Sequence, residues 1–68
     1  MREVLWRLQG PVNKLRCELI EDRDSIAGCV WLKNRELVIA ESPPNRQHAL
    51  DRAESLRDAF TAAGFMNL

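Results

Sequence analysis

Apolar and polar residues alternate in two stretches near the start of the chain. In residues 3–9 the alternating apolar positions are Val4, Trp6 and Leu8. In residues 14–20 they are Leu15, Cys17 and Leu19. A period of two is typical of β-strands, because successive side chains of a strand point to opposite faces. The segment between the stretches begins Gly10-Pro11, a strong turn signal. We therefore predict two antiparallel strands.

Two short apolar runs follow, at residues 29–32 and 37–40. They are rich in β-branched and aromatic residues, which favour strands. Between them Asn34 tolerates the positive φ of a tight hairpin turn. If Asn34-Arg35 is a two-residue loop, Val30 lies opposite Ile39. The polar segment 21–25 is a loop that closes at Gly28.

The remainder of the chain has the pattern of one helix. Ser42-Pro43-Pro44 ends the sheet, because proline fixes φ and has no N–H for a ladder. Asn45 is then the predicted N-cap and Gly64 the glycine that ends the helix. The apolar positions recur at spacings of four, three, four and three, and they are Ala49, Ala53, Leu56, Phe60 and Ala63.

These elements predict an α+β fold in a single domain, residues 1–68. A three- to four-stranded antiparallel meander precedes one C-terminal helix that packs on one face of the sheet (ββββα). We expect the helix to cover the side that carries Val4, Trp6, Leu8, Leu15, Cys17, Leu19 and Trp31. A single helix leaves the other face free. The large aliphatic residues expected there are Leu5, Ile20, Val30, Leu32, Leu37 and Ile39.

Size makes this free face important for function. A lone core in a chain of 68 residues rarely supplies more than about 3–5 kcal/mol, so small proteins often add disulfides, a metal or a partner. The only cysteines are Cys17 and Cys29, and no signal peptide precedes them, so we expect free thiols in a reducing cytoplasm. With His48 they lack any metal-ligand spacing. We therefore expect no metal, no cofactor and a homodimer, with an unknown protein partner as the alternative.

Charge weakens the case for a nucleic-acid binder. The chain has ten basic and ten acidic residues, interleaved along the sequence. A protein that neutralises phosphates usually carries a basic excess on one face. Nucleic acid is therefore an unfavoured partner at this stage, and no apolar run reaches the roughly 20 residues that cross a bilayer.

Three groups of residues have a chemical interpretation beside a structural one. Cys17 with His48 resembles a nucleophile and base, but mid-strand cysteines usually act as small buried hydrophobes. The acidic loop with Glu21, Asp22 and Asp24 offers oxygen ligands without the spacing of a calcium loop. Trp6 and Trp31 are potential stacking platforms for bases, but both fall on the predicted helix side, where core packing is the expected role.

The chain also resembles a group of short bacterial proteins to which no activity is assigned. The resemblance rests on Val4-Leu5-Trp6, Cys17-Glu18-Leu19, Gly28, Glu36-Leu37, Ala49, Ala53-Glu54 and Gly64-Phe65. It implies strands followed by a helix and no particular function. Val30 and Leu32 depart from the polar residues expected in that group.

The sequence therefore predicts a non-enzymatic protein-interaction module, a homodimer built through the free apolar face. One alternative is a small nucleic-acid-binding dimer. Another is an enzyme whose site forms at a dimer interface, since so small a chain offers no other deep pocket.

Overall fold

The computed structural model describes all residues, 1–68, and confirms the α+β fold with the helix after the sheet. The strands are β1 (Arg2–Gln9), β2 (Lys14–Glu21), β3 (Ile26–Leu32), β4 (Leu37–Glu41) and β5 (Met66–Asn67), and the helix is α1 (Arg46–Ala62). All strand pairs are antiparallel, in the order β4-β3-β2-β1-β5. The two-residue β5 extends the predicted meander, because the chain turns back after α1 and pairs with the end of β1.

The predicted helix ends are confirmed. The Asn45 side chain accepts a hydrogen bond from the backbone N–H of His48 at 2.8 Å, as an N-cap does. Gly64 has a φ of 108°, a conformation that residues with a Cβ rarely adopt. The N–H of Phe65 then reaches back to the carbonyl of Phe60, and the two rings meet edge to face at 5.6 Å. This closure directs the chain from α1 towards β1.

The core lies between α1 and one face of the sheet, here called the helix face. Its buried members are Trp6, Leu8, Leu15, Cys17, Val30 and Ala53. Trp6 connects the two layers, because its indole N–H donates to the Ala53 carbonyl at 2.9 Å and its ring packs against Phe60. Burial of these apolar groups is the main stabilising term available to so small a domain.

The predicted faces are wrong at the start of β1. Val4 lies opposite Glu18 and Trp6 opposite Cys17, so Leu5 is an extra residue in a β-bulge. A bulge reverses the alternation of side chains on either side of it. Val4 therefore lies on the exposed side, although it was assigned to the core, and Leu5 packs against the core, although it was assigned to the free face.

The predicted faces of β3 and β4 are also reversed. Cys17 pairs with Val30, and Val30 pairs with Ile39 as expected, so these side chains share the helix face. Val30 is 1% exposed, and Leu32 and Ile39 pack against the same core. Trp31, which was assigned to the helix side, lies on the opposite face. A one-residue difference in the register of β3 on β2 moves every side chain of a strand to the other face.

The side of the sheet away from α1 is here called the open face. Following the strand pairs across the sheet, its residues are Arg2, Val4, Arg7, Gln9, Lys14, Arg16, Glu18, Ile20, Ala27, Cys29, Trp31, Leu37 and Ala40. Of the six aliphatic residues predicted for a free face, Ile20 and Leu37 lie here. Val30 is a core residue, and Leu5, Leu32 and Ile39 are partly buried against the core, so the six residues do not share one free face as predicted.

Candidate functional site

One row across the open face joins two arginines and a tryptophan. Arg7 on β1 lies directly opposite Arg16 on β2, and Arg16 lies directly opposite Trp31 on β3. Directly opposite residues of an antiparallel pair have Cβ atoms about 4.5–5.5 Å apart. Like charges at this separation destabilise a sheet. The row is therefore an unfavourable arrangement for folding alone, and it presents positive charge beside an aromatic ring.

Trp31 is only partly buried, unlike Trp6. Its indole Nε1 is shielded from solvent and has no hydrogen-bond partner within the protein. Tryptophan N–H groups usually find a partner when they are buried. The ring therefore combines a solvent-accessible surface with one unused donor.

Glu18 is the one buried acidic side chain, at 5% exposure. Its Oε2 lies 3.5 Å from the Arg16 Nε, an ion-pair distance at which no hydrogen bond forms. Its Oε1 also has no partner. A buried carboxylate without full hydrogen bonding costs free energy of folding. Glu18 thus neutralises part of the Arg16 charge and leaves one acceptor unused.

Charge is distributed unevenly between the two sides of the sheet. The open face carries four basic residues, Arg2, Arg7, Lys14 and Arg16, and one acidic residue, Glu18. The rest of the chain consequently has six basic and nine acidic residues. The basic excess that the linear sequence conceals is therefore present on one face.

Apolar residues of the open face occur on each of the strands β1 to β4. Leu37, at the start of β4 and next to Trp31, is 47% exposed, and Val38 in the adjoining bulge is 46% exposed. The face is therefore mixed in character.

The two cysteines belong to different faces. Cys17 pairs with Val30 in the core, and Cys29 pairs with Glu18 on the open face. Burial raises the pKa of the Cys17 thiol to about 11, with smaller contributions from Cys29 and Glu18. Burial also raises the pKa of Cys29. Both thiols therefore remain protonated near neutral pH, which disfavours nucleophilic chemistry.

Cys17, Cys29 and His48 all contribute to the lining of one cavity, described below, and the acidic loop lies outside it. His48 is exposed in the first turn of α1. Glu21, from the start of the acidic loop, accepts a hydrogen bond from Arg46 in the same turn. Asp22 caps its own loop by accepting from the Arg23 N–H at 2.8 Å. The protein contains no group of three or more histidine, cysteine or acidic residues placed to hold a metal ion.

A cavity of about 360 Å³ lies on the other side of the sheet, beneath the first half of α1. Its walls come from β2, β3, α1 and the Ser42-Pro43-Pro44 segment, and His48 and Arg52 stand among its polar lining. The sequence pattern did not indicate this cavity. Three small residues that face each other, Gly28 on β3 and Ala49 and Ala53 on α1, are the sequence feature from which the cavity could have been predicted.

The single helix is neither long enough nor apolar enough to cross a membrane. Comparisons with protein families, curated proteins and solved structures found no match for this chain.

Proposed function

We propose that this domain is a non-enzymatic binding module whose open face takes single-stranded nucleic acid. In this proposal one base stacks on Trp31, while the adjacent phosphates meet Arg7 and Arg16. The observation that carries it is the row of two arginines and one tryptophan in direct register across three strands. The sequence favoured a homodimer over a nucleic-acid binder. We reverse that order because most of the residues predicted for the apolar interface pack in or against the core.

Electrostatics supports an anionic partner. A phosphate between Arg7 and Arg16 relieves the repulsion of two like charges placed directly opposite each other. Arginine suits this role because its guanidinium presents several donors in a plane. The side of the domain away from the open face has an acidic excess, which directs a polyanion to the open face.

The chemistry of the tryptophan favours a single strand over a duplex. An unpaired base has a free π-face, and stacking on an aromatic side chain contributes about 1–3 kcal/mol per base. A four-stranded sheet with exposed aromatics is a known architecture for this contact, an analogy that supports the proposal without carrying it.

The test is fluorescence anisotropy with short labelled oligo-U and oligo-dT across a range of salt concentrations. We expect Trp31→Ala to weaken binding by about 5- to 150-fold, the equivalent of one lost stack. We expect Arg7→Gln to reduce the salt slope by about 0.7, the value for one phosphate contact on a single strand.

The matched control is Arg57→Gln, which removes the same charge from an exposed pair on α1. It should leave both affinity and salt slope unchanged. Absence of binding to either oligonucleotide at low salt rejects the proposal. Equal losses in Arg7→Gln and Arg57→Gln reject the open face as the site.

A homodimer is the second candidate, and the exposed Leu37 and Val38 favour it. Four strands about 4.8 Å apart and seven residues long at about 3.3 Å each give a face of roughly 440 Å² in projection. Two such faces total roughly 900 Å² in projection, and the accessible area that they bury is larger because side chains roughen the surface, which brings it near the lower limit of about 1,200 Å² for a standard interface. A dimer through this face is therefore expected to lie at the small end of specific interfaces.

Light scattering behind a sizing column tests the second candidate. A mass that rises towards twice 7.8 kDa with concentration supports it. A mass of one chain at millimolar concentration rejects it. If the protein both dimerises through the open face and binds oligonucleotide there, the two partners compete. Saturating oligonucleotide should then convert the dimer to monomers.

A further inference from the structure

The first half of α1 is held away from the sheet by small residues that face each other. Ala49 and Ala53 are the buried helix residues, and Gly28 lies below them on β3. A Cβ added to Gly28 would meet no atom within 4 Å. The second half of α1 instead packs its Phe60 ring against Trp6. The layers therefore touch at one end and leave the cavity at the other.

The walls of the cavity are mainly apolar. The large side chains among them are Leu5, Leu19, Val30 and Leu56. Its volume of about 360 Å³ falls at the lower end of the range of about 300–1,000 Å³ that holds small ligands. The cavity opens to solvent beside the Ser42-Pro43-Pro44 segment, so a ligand chain that enters it removes apolar wall from water without disturbing the fold.

Polar groups converge at one side of the cavity. Arg52 Nε donates to both carboxylate oxygens of Glu41, at 3.0 and 3.2 Å. This leaves its two Nη groups without hydrogen bonds. His48 and Ser42 also line this exposed side of the cavity, and neither side chain hydrogen-bonds to another protein group. The one carboxylate there, Glu41, is already bound to Arg52, so the remaining donors match an acceptor group attached to an apolar chain.

We propose that the cavity binds the aliphatic chain of a medium-length monocarboxylate, with the carboxylate held by Arg52 and His48 beside Ser42. Arg52 exchanges part of its contact with Glu41 for a contact with the ligand carboxylate. The positive end of the α1 dipole, whose first turn contains no acidic residue, favours the same charge. This site is separated from the open face by the sheet itself and does not depend on nucleic-acid binding.

The test is titration of the isotope-labelled protein with decanoate below its micelle concentration, followed by backbone amide shifts and calorimetry. The comparison ligands are 1-decanol, which keeps the chain, and decyltrimethylammonium, which reverses the charge. We expect saturable shifts centred on Gly28, Ala49 and Ala53. We expect decanoate to bind about tenfold more tightly than decanol, and the cationic ligand to bind more weakly than either.

Two variants separate the chain site from the head-group site. Gly28→Leu places its side chain in the cavity and should abolish binding of all three ligands, while oligonucleotide binding is unchanged. Ala49→Leu fills the same space from the helix side if the first variant fails to fold. Arg52→Gln should weaken decanoate about tenfold and leave decanol unchanged, and the control Arg57→Gln should alter neither.

Distinct outcomes overturn the proposal. Shifts spread evenly over the surface, or equal affinity for the cationic ligand, indicate detergent-like adsorption and reject the cavity. Retained binding in a folded Gly28→Leu protein rejects it as well. Equal losses of decanoate and decanol in Arg52→Gln reject the carboxylate assignment, because the Arg52–Glu41 bridge would then act only on the shape of the cavity.

Discussion

Truncation of one valine tests which face of β3 supports the fold. Val30 is 1% exposed and lies in the core, opposite Cys17 and Ile39. Val30→Ala removes two methyl groups, which at about 0.8 kcal/mol each gives roughly 1.6 kcal/mol of lost transfer free energy. The residual cavity raises the cost to about 2–3 kcal/mol. That is about half of the 3–5 kcal/mol that a core of this size supplies.

Urea unfolding followed by tryptophan fluorescence measures this cost. The midpoint should fall while the slope m stays unchanged, because the same surface is exposed on unfolding. In a thermal scan we expect a decrease in Tm of roughly 8–20 °C for a domain of this length.

Val38→Ala is the matched control, because it makes the same chemical change one strand away. Val38 is 46% exposed and has no partner in the β3–β4 register. Its replacement should cost about 0.5 kcal/mol or less. If Val38→Ala destabilises the protein as much as Val30→Ala does, the faces assigned to β3 and β4 are wrong.

Two further predictions concern the turn and the thiol. Arg35 has a φ of 70°, so Arg35→Gly should raise the free energy of unfolding by about 0.5–1 kcal/mol, and a lower Tm would contradict the turn geometry. The Cys17 pKa is raised from 9.0 to about 11, so its ionisation favours the unfolded chain as the pH rises between these values. Stability should fall by about 1–2 kcal/mol over that range, after allowance for solvent screening in a thin domain. Cys17→Ala lowers the urea midpoint at neutral pH because it removes a buried side chain, and the wild-type midpoint should fall towards that of the variant above pH 9; parallel curves would refute the raised pKa.

The local signals in the sequence were sufficient for the elements and their order. Asn45 and Gly64 act through their own backbone and side chain, so the ends of α1 follow from residue type. The short connections between β1, β2, β3 and β4 permit only neighbouring antiparallel pairs. Val30 and Ile39 pair as expected, but the predicted two-residue loop is wrong: residues 33–35 form the turn, and a bulge at Val38 restores the pairing.

The face of each side chain could not be predicted in the same way. The β2–β3 pairing of Glu21 with Ile26 leaves a four-residue loop, and its parity decides whether Val30 or Trp31 enters the core. Both residues are large and apolar, so hydrophobicity does not choose between them. The extra residue at Leu5 separately exchanges the faces of the β1 residues that precede it. Bulges carry little sequence signal, so this exchange could not be predicted.

The candidate site on the open face depends on this same parity. Arg7 and Arg16 become neighbours once the first hairpin is registered by the pair Leu8 and Leu15, which the turn at Gly10 already suggests. Trp31 joins them only when β3 has its observed register. The balanced net charge of the whole chain conceals the local excess, because it sums over both faces.

The pairing of β5 with β1 has a consequence for synthesis of the chain. β1 is the first strand of this sheet to be synthesised. β5, which pairs with Leu8 and Gln9 at the end of the outer edge of β1, is synthesised after α1. During translation that edge remains unpaired until the helix has formed. An unpaired edge invites strand addition from another chain, and a bulge is one of the features that discourage it. The bulge at Leu5 lies beyond the two residues that β5 covers, so it twists the part of the β1 edge that stays unpaired even in the folded protein.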